Sequence, residues 1–250
     1  MPRDFASPAY QRIAAEYAEK IDTGELRDGD QLPKRDELAE QNNVSLQVVR
    51  DALALLHNDG YLRSVPSKGT YVQRPRRFNM PMTDFEADQR PEDAFFALVR
   101  DQGGEPGQDS IRVETVLAGA HGVPSDLDLD DGTPVLARRR LRRVGGVPYA
   151  ISDSFYPYDL VAGSPLASPA DISTGARHIL KALDLEMHRH RDQIDCRRAH
   201  NHEVELLDIA PGVAVIAHNR VSYTREGRPM RVLASVLPSD RWRVKYEVTG

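Results

Sequence analysis

The stretch from Ser45 to Asn58 constrains the fold most, because its apolar residues repeat with the period of an α-helix. These residues recur at i, i+3, i+4 and i+7, and they are Val49, Ala52, Leu53 and Leu56. The spacing predicts an amphipathic helix of about four turns with one buried face. Ser45 lies just ahead of the stripe and is predicted to be the N-cap, and Gly60 is predicted to end the helix.

The segments on both sides of this helix predict a winged helix-turn-helix. Residues 36–41 form a second short helix, and Asn42-Asn43-Val44 is the turn between the two. Residues 61–63 and 70–73 are two strands of a hairpin. In such a domain the second helix enters the DNA major groove and the hairpin, or wing, contacts the adjacent backbone. The residues predicted to contact DNA are Lys34, Arg35, Ser45, Leu46, Gln47, Arg50, Lys68, Gly69 and Thr70.

Composition places the chain among globular proteins without a membrane segment. The 250 residues are 40% hydrophobic and 28% charged, no apolar run approaches the ~18 residues of a membrane span, and the N-terminus has no signal-peptide pattern. The one cysteine, Cys196, excludes an intramolecular disulfide and is expected to be a core thiol. We expect a cytoplasmic protein that associates with the nucleoid when it binds DNA. The net charge of −5 argues neither for nor against that partner.

The rest of the sequence predicts a linker and a second domain. Prolines and little periodicity predict a linker over 75–91, between a DNA-binding domain at 1–74 and a second domain at 92–250. The predicted strands of the second domain cover 109–117, 135–144, 147–155, 186–199, 213–224 and 230–238, and the predicted helices cover 94–102, 172–183 and 201–207. Because most of the strands are joined as hairpins, we predict an α+β fold on an antiparallel sheet.

The N-terminal segments together resemble the DNA-binding domain of the GntR family of bacterial transcription regulators. The residues that carry the resemblance are Tyr10-Gln11-Arg12-Ile13-Ala14, Gly24-x-Leu26-x-x-Gly29-x-x-Leu32-Pro33, Glu37-Leu38-Ala39, Val44-Ser45, Val49-Arg50-x-Ala52-Leu53, Gly60-Tyr61-Leu62 and Lys68-Gly69-Thr70-Tyr71-Val72. A winged helix recognises only a few base pairs, so we expect a homodimer on a double-stranded operator with two-fold symmetry.

Three positions depart from the family pattern. Asp36 stands where the family usually has an arginine that contacts DNA, and Leu46 and Val48 replace an arginine and a threonine of the recognition helix. An arginine at position 46 would bind guanine, whereas Leu46 could contact a thymine methyl and Gln47 could pair with adenine. The resemblance therefore implies an altered operator that is richer in A·T pairs. The alternative is a degenerate recognition helix that binds weakly.

The second domain resembles the chorismate-lyase-like UTRA domain of the HutC subgroup of GntR regulators. The residues that carry the resemblance are Arg140-Leu141-Arg142, Gly146-Val147-Pro148, Phe155-Tyr156-Pro157, Leu180, Ile209-x-Pro211-Gly212-x-x-Val215, Gly227-Arg228-Pro229 and Asp240-Arg241-Trp242. The resemblance implies that Arg140 and Arg142 bind the anionic group of a small effector. Strand alternation sends both guanidiniums to one face, although a pair of surface arginines would show the same spacing.

Other expected pocket residues also depart from the family pattern. Ser152 and Arg231 stand where glutamates are usual, which implies a more cationic pocket and a more negatively charged effector. Asp153, Tyr156 and Arg197 are further candidate contacts.

The sequence indicates a repressor that a small anionic metabolite releases from DNA, without a cofactor, a metal or catalysis. Alternating histidines at 188, 190, 200 and 202 would suit a metal, but arginines alternate with the first pair. A lyase-like enzyme remains an alternative because of the fold, although we recognise no acid-base pair or nucleophile motif. A constitutive repressor with a vestigial pocket is the other alternative.

Overall fold

The structure, a computed structural model, describes residues 8–73, 76–83, 92–210 and 212–247. The chain divides into two compact units. The first contains the described residues up to Arg76, and the second runs from Arg77 to the end, except for residues 209–213, which group with the first. Each unit is described by itself.

The first unit contains three helices and a two-stranded antiparallel hairpin. The elements are α1 (Ala9–Asp22), α2 (Arg35–Asn42), α3 (Leu46–Asn58), β1 (Leu62–Val65) and β2 (Gly69–Val72). The Ser45 hydroxyl accepts a hydrogen bond from the Val48 amide at 3.4 Å and caps α3. Asn43 ends α2 with a φ of 50°, a left-handed conformation that asparagine tolerates. The prediction of a helix-turn-helix followed by a wing is confirmed.

The apolar stripe of α3 forms the centre of this unit. Val49, Ala52, Leu53 and Leu56 are all buried, and they belong to one cluster with Ile13, Tyr17 and Ile21 of α1. Because packing uses this face, the opposite face of α3 and its N-terminal turn remain at the surface. Arg50 and Gln47 are exposed there.

The second unit is an α+β domain on an antiparallel sheet, as predicted. Its helices are α4 (Ala94–Asp101), α5 (Tyr158–Val161), α6 (Gly175–Ala182) and α7 (Asn201–Leu207). Its strands are β3 (Phe78–Pro81), β4 (Pro106–Leu117), β5 (Pro134–Val144), β6 (Val147–Pro157), β7 (Arg189–Arg198), β8 (Ala214–Tyr223), β9 (Pro229–Pro238) and β10 (Trp242–Lys245). Six of them form the sheet in the order β4-β5-β6-β9-β8-β7.

Strand alternation separates two different cores on the two faces of this sheet. On one face, Leu136 and Tyr156 pack with Leu180 of α6. On the other face, Ala137 and Phe155 pack with a separate apolar cluster. Neighbouring residues of β5 and β6 therefore point into different environments.

The segment predicted to be a linker contains a strand. β3 pairs in parallel with β10, and Phe78, Met80 and Met82 are buried in the second unit. These three residues alternate with period two, which is the pattern of a strand with one buried face. The strand was not predicted because the surrounding prolines and charged residues indicated a linker. The rest of the predicted linker, residues 75 and 84–91, lies outside the described residues.

The expectation of a core thiol is wrong, because Cys196 is exposed. It lies on β7, the strand at one edge of the six-stranded sheet, where nearly every residue is exposed. Within the described ranges, no helix is both long enough and apolar enough to cross a membrane.

Candidate functional site

In the first unit, the start of α2, the start of α3 and the wing surround one concave surface. Of the residues predicted to contact DNA, those that line it are Lys34, Arg35, Leu46, Arg50, Lys68, Gly69 and Thr70. Ser45 instead caps α3, and Gln47 donates a hydrogen bond to Asp51 at 2.9 Å. The concave surface thus gathers four cationic side chains around the exposed end of a helix, which is suited to phosphate contacts.

The wing is fixed to the segment that precedes α2. The Gln31 side chain donates to the Lys68 carbonyl at 2.8 Å, and the Leu32 amide donates to the Thr70 carbonyl at 2.9 Å. Gly69 has a φ of +125°, and a Cβ there would lie 2.8 Å from the Gln31 amide nitrogen. Residues with a side chain rarely adopt this φ, so the backbone favours a glycine where the wing passes Gln31.

Two of the residues that depart from the family pattern lie on the same concave surface. Asp36 is exposed in the first turn of α2, where the helix dipole favours a negative charge. Leu46 is 43% exposed at the first position of α3. An apolar side chain and a carboxylate thus stand where the family resemblance implies arginines.

The second unit contains a pocket between the sheet and the N-terminal ends of α4 and α6. The polar and charged residues that line it are Glu92, Asp93, Arg140, Arg142, Ser152, Arg177, His178, Arg231 and Ser235. Arg140 and Arg142 come from β5, as the alternation predicted, and both are buried rather than at the surface. The pocket contains a cavity of about 50 Å³.

A carboxylate of the same unit binds the arginine pair. Asp93 Oδ2 lies 2.8 Å from Arg142 Nη2 and 3.6 Å from Arg140 Nη1. Asp93 Oδ1 accepts a hydrogen bond from the Phe95 amide at 3.0 Å and caps α4. Burial alone would raise the pKa of Asp93, but Arg142 and Arg140 outweigh burial and keep it below its usual value.

Positive charge still exceeds negative charge around this carboxylate. Arg140 Nη2 and Arg231 Nη2 both point at the Ser154 hydroxyl, at 3.2 and 3.3 Å. Burial, with Arg142 beside it, lowers the pKa of Arg140 to about 9. Among the residues that the structure describes, the buried Nε atoms of Arg140 and Arg142 have no hydrogen-bond partner. Asp93 thus leaves part of the hydrogen-bonding capacity of the two arginines unused.

The structure brings only some of the other predicted effector contacts to this pocket. Arg231 lines it, and Tyr156 is buried with its ring 5.9 Å from the Arg231 guanidinium. Asp153 lies on the opposite face of β6 and pairs with Arg139 at 3.3 Å. Adjacent strand residues point to opposite faces, so Asp153 cannot share the face of Ser152. Burial raises the pKa of Asp153 to about 6.

Arg197 lies away from the pocket, on the edge strand β7. Its guanidinium donates two hydrogen bonds of 2.7 Å to Glu203 of α7. His200, His202 and Glu203 bring potential metal ligands within 4.8 Å of one another. Because Glu203 already binds the Arg197 guanidinium and the His200 amide, a cation would have to displace an arginine, and we assign no metal site there.

Sequence reasoning missed several residues that line the pocket, and Asp93 is the one that binds the arginine pair. Its place before the apolar helix 94–102 is a recognisable N-cap signal. Its contact with Arg142, 49 residues further along the chain, leaves no local signal.

Comparison with known protein families identifies a family for each half of the chain. Residues 9–72 match the bacterial regulatory proteins of the gntR family, and residues 101–243, more than half of the chain, match the UTRA domain. The chain is a GntR-family regulator with a UTRA domain. The resemblance inferred from the sequence is confirmed for both halves.

Two repressors and one solved structure are similar to this chain over different lengths. The HTH-type transcriptional repressor NagR of Bacillus subtilis is 26% identical over 237 residues, which cover 94% of this chain and 92% of NagR. The mannosyl-D-glycerate system repressor MngR of Escherichia coli is 33% identical over 101 residues, which cover 37% of this chain and 42% of MngR. The crystal structure of PhnF from Mycobacterium smegmatis, 24% identical, superposes with a TM-score of 0.59 over 95% of this chain and 99% of PhnF, and so shares the fold.

Proposed function

We propose that this GntR-family regulator is a repressor of the HutC subgroup that a small anionic metabolite releases from its operator. The observation that carries the proposal is the buried arginine pair, Arg140 and Arg142, at the wall of a pocket in the UTRA domain. Burying a guanidinium costs free energy unless an anion compensates it, so two on one face favour an anionic ligand. The effector acts through its different affinities for the DNA-bound and released arrangements.

We further propose an operator that is weighted toward A·T pairs. Leu46 is exposed at the start of the recognition helix α3 and can contact a thymine methyl. The cations around it, Lys34, Arg35 and Lys68, suit phosphates on either side of the groove. Selection of bound sequences from a random DNA library tests this proposal. G·C pairs recovered opposite Leu46 would contradict it.

The active form that we propose is a cytoplasmic homodimer on a two-fold-symmetric operator. A single winged helix contacts too few base pairs for a specific site, so a second copy must supply the other half-site. The edge strand β7 supports a protein partner in the second unit, because nearly all of it is exposed and Ile194 presents 43% of its surface. Light scattering of the purified protein tests the dimer, and a monomer at micromolar concentration would contradict it.

A constitutive repressor is the second candidate, and Asp93 is the observation that favours it. This carboxylate binds the arginine pair, and the cavity beside it is small. In such a protein the pocket would be a structural ion-pair site, and no metabolite would change DNA binding.

A gel-shift titration distinguishes these candidates. The purified protein is mixed with the DNA upstream of its own gene, with a scrambled duplex as control, and then with fractions of small anionic metabolites from its host. Release by one fraction supports the ligand-gated repressor and identifies the effector. Binding that no fraction changes supports the constitutive repressor. Failure to bind the DNA even at low salt would mean that the substitutions at Asp36 and Leu46 have abolished or moved the operator site.

A further inference from the structure

Asp93 occupies the place at the arginine pair that an external anion would take. Its Oδ2 atom faces both guanidiniums, at 2.8 Å from Arg142 and 3.6 Å from Arg140. Asp93 is only 7% exposed, and its backbone is held by a hydrogen bond to the Ser173 carbonyl at 3.1 Å. It is also in close contact with Gly175, where a Cβ would lie 2.9 Å from the Asp93 Cα. The carboxylate is therefore a built part of the pocket wall.

One carboxylate supplies fewer acceptor sites than the pocket has donors. Oδ1 accepts from the Phe95 amide, which leaves Oδ2 as the oxygen shared by the two arginines. In the described part of the chain, the buried polar atoms without a hydrogen-bond partner near this site include Arg140 Nε, Arg142 Nε, Tyr156 Oη and His178 Nδ1. A tetrahedral oxyanion such as a phosphate group offers several oxygens to a pair of guanidiniums, whereas Asp93 offers them one. An external oxyanion can therefore pair with more of the arginine N–H groups than the single Oδ2 of Asp93 does.

We infer that Asp93 is a resident competitor of the effector, whose anionic group takes the place of the Asp93 carboxylate at Arg142 and Arg140. This inference rests on the proposed function of the pocket. Asp93 then determines the effector concentration at which the pocket fills, because only protein molecules whose Asp93 carboxylate has left the arginines bind the effector. The apparent dissociation constant rises in inverse proportion to the fraction of such molecules.

The replacement also changes the start of α4. Asp93 caps this helix, so a carboxylate that leaves the arginines moves the residue whose oxygen holds the first-turn amide of Phe95. Ligand binding and the N-terminal turn of α4 are thereby coupled through one side chain. The pocket needs no other moving part for this coupling.

The substitution Asp93→Asn tests the competition. Asparagine keeps the shape of the side chain and the capping oxygen, and it removes the charge that holds the arginines. The matched control is Asp109→Asn, which removes one charge from an exposed carboxylate of the same unit that pairs with Arg143 at 2.8 Å. Inorganic phosphate is titrated into the full-length wild type and both variants by calorimetry at constant ionic strength.

We expect Asp93→Asn to bind phosphate about tenfold more tightly than the wild type, as removal of a competitor that fills the site in about 90% of molecules requires. Asp109→Asn should match the wild type. Unchanged or weaker binding by Asp93→Asn, with measurable binding by the wild type, overturns the competition and leaves the anion pocket intact. If no protein binds phosphate, both the anion pocket and the competition that rests on it are wrong.

A crystal structure of the wild type with phosphate tests the same inference without a substitution, in case Asp93→Asn does not fold. Phosphate is expected on Arg140 and Arg142, with Asp93 Oδ2 beyond hydrogen-bond distance of Arg142 Nη2. Phosphate bound while that contact keeps its 2.8 Å length would overturn the inference.

Discussion

In the winged-helix unit, the cationic side chains of Lys34, Arg35, Arg50 and Lys68 are exposed around a concave surface, whereas in the UTRA unit Arg138, Arg140, Arg142 and Arg231 are buried. Exposed cations remain solvated until they contact DNA phosphates and release the counterions condensed on the DNA, so their contribution depends on salt. Buried cations need a partner inside the protein at all times.

The buried arginines obtain their partners in different ways. Arg138 donates to the carbonyls of Ser168 and Ala170 and holds a loop, which is a structural role. Arg142 instead binds the carboxylate of Asp93, a partner with the same charge as the proposed ligand. A ligand with an anionic group can replace a carboxylate, so the ion pair of Arg142 is exchangeable. Such a ligand does not resemble the backbone carbonyls that bind Arg138, so those hydrogen bonds are not exchangeable.

The largest effect is expected from removal of a buried cation. Arg142→Met leaves Asp93 buried with Arg140 as its more distant partner, and we expect the unfolding free energy of the UTRA unit to fall by about 3–5 kcal/mol. Urea unfolding followed by the fluorescence of Trp242, the single tryptophan, measures this unit, because Trp242 is in its core. The control Arg198→Met removes an exposed cation of the same unit and should change the stability by less than about 0.5 kcal/mol. Equal losses would break the comparison.

A smaller effect is expected from the buried carboxylate on the opposite face of the sheet. Burial raises the pKa of Asp153 from its usual 3.8 to about 6, so the folded state holds a proton that the unfolded state has released. Its contribution to stability is present below pH 4 and is lost as the pH rises to about 6, by at most about 3 kcal/mol.

Asp153→Asn should remove this fall in stability between pH 4 and 6. The measurement is the difference in unfolding free energy between variant and wild type across that range, again with Trp242 fluorescence. The pKa of Asp93 is lowered rather than raised in the folded state. Its contribution to the stability of the protein therefore grows as the pH rises toward the pKa that Asp93 has in the unfolded chain. A pH-independent difference for Asp153→Asn would show that Arg139 compensates the carboxylate fully.

Local patterns predicted most of the fold and part of the pocket. The period of α3 predicted its buried face, and the alternation Arg140-Leu141-Arg142 predicted that both guanidiniums share one face. The same alternation should have excluded Asp153, since its neighbour Ser152 lines the pocket. Asp153 follows Ser152 in the sequence, but adjacent side chains of a strand point to opposite faces, so Asp153 does not lie in the pocket.

Contacts between distant segments were not predictable in this way. The ion pair of Asp93 with Arg142 spans 49 residues, and the pairing of β3 with β10 joins the two ends of the second unit. No short segment of the sequence signals either pairing, because both depend on how distant parts of the second unit pack together. Asp93 was missed for this reason, since it enters the pocket from the segment before α4 and not from the strands of the sheet.

The smallest effect concerns DNA affinity rather than stability. It tests whether the position of a cation or only the net charge of the winged-helix unit determines that affinity. Arg50→Ala removes an exposed cation from the concave surface, and we expect about tenfold weaker operator binding and a salt dependence smaller by about one counterion. The matched control Arg12→Ala removes the same charge from exposed Arg12 on α1, away from the residues that line the surface. Because phosphate contact requires proximity, Arg12→Ala should leave the salt slope unchanged. Equal weakening by both variants, measured by gel shift at 50 to 200 mM salt, would mean that overall charge and not the concave surface sets DNA affinity.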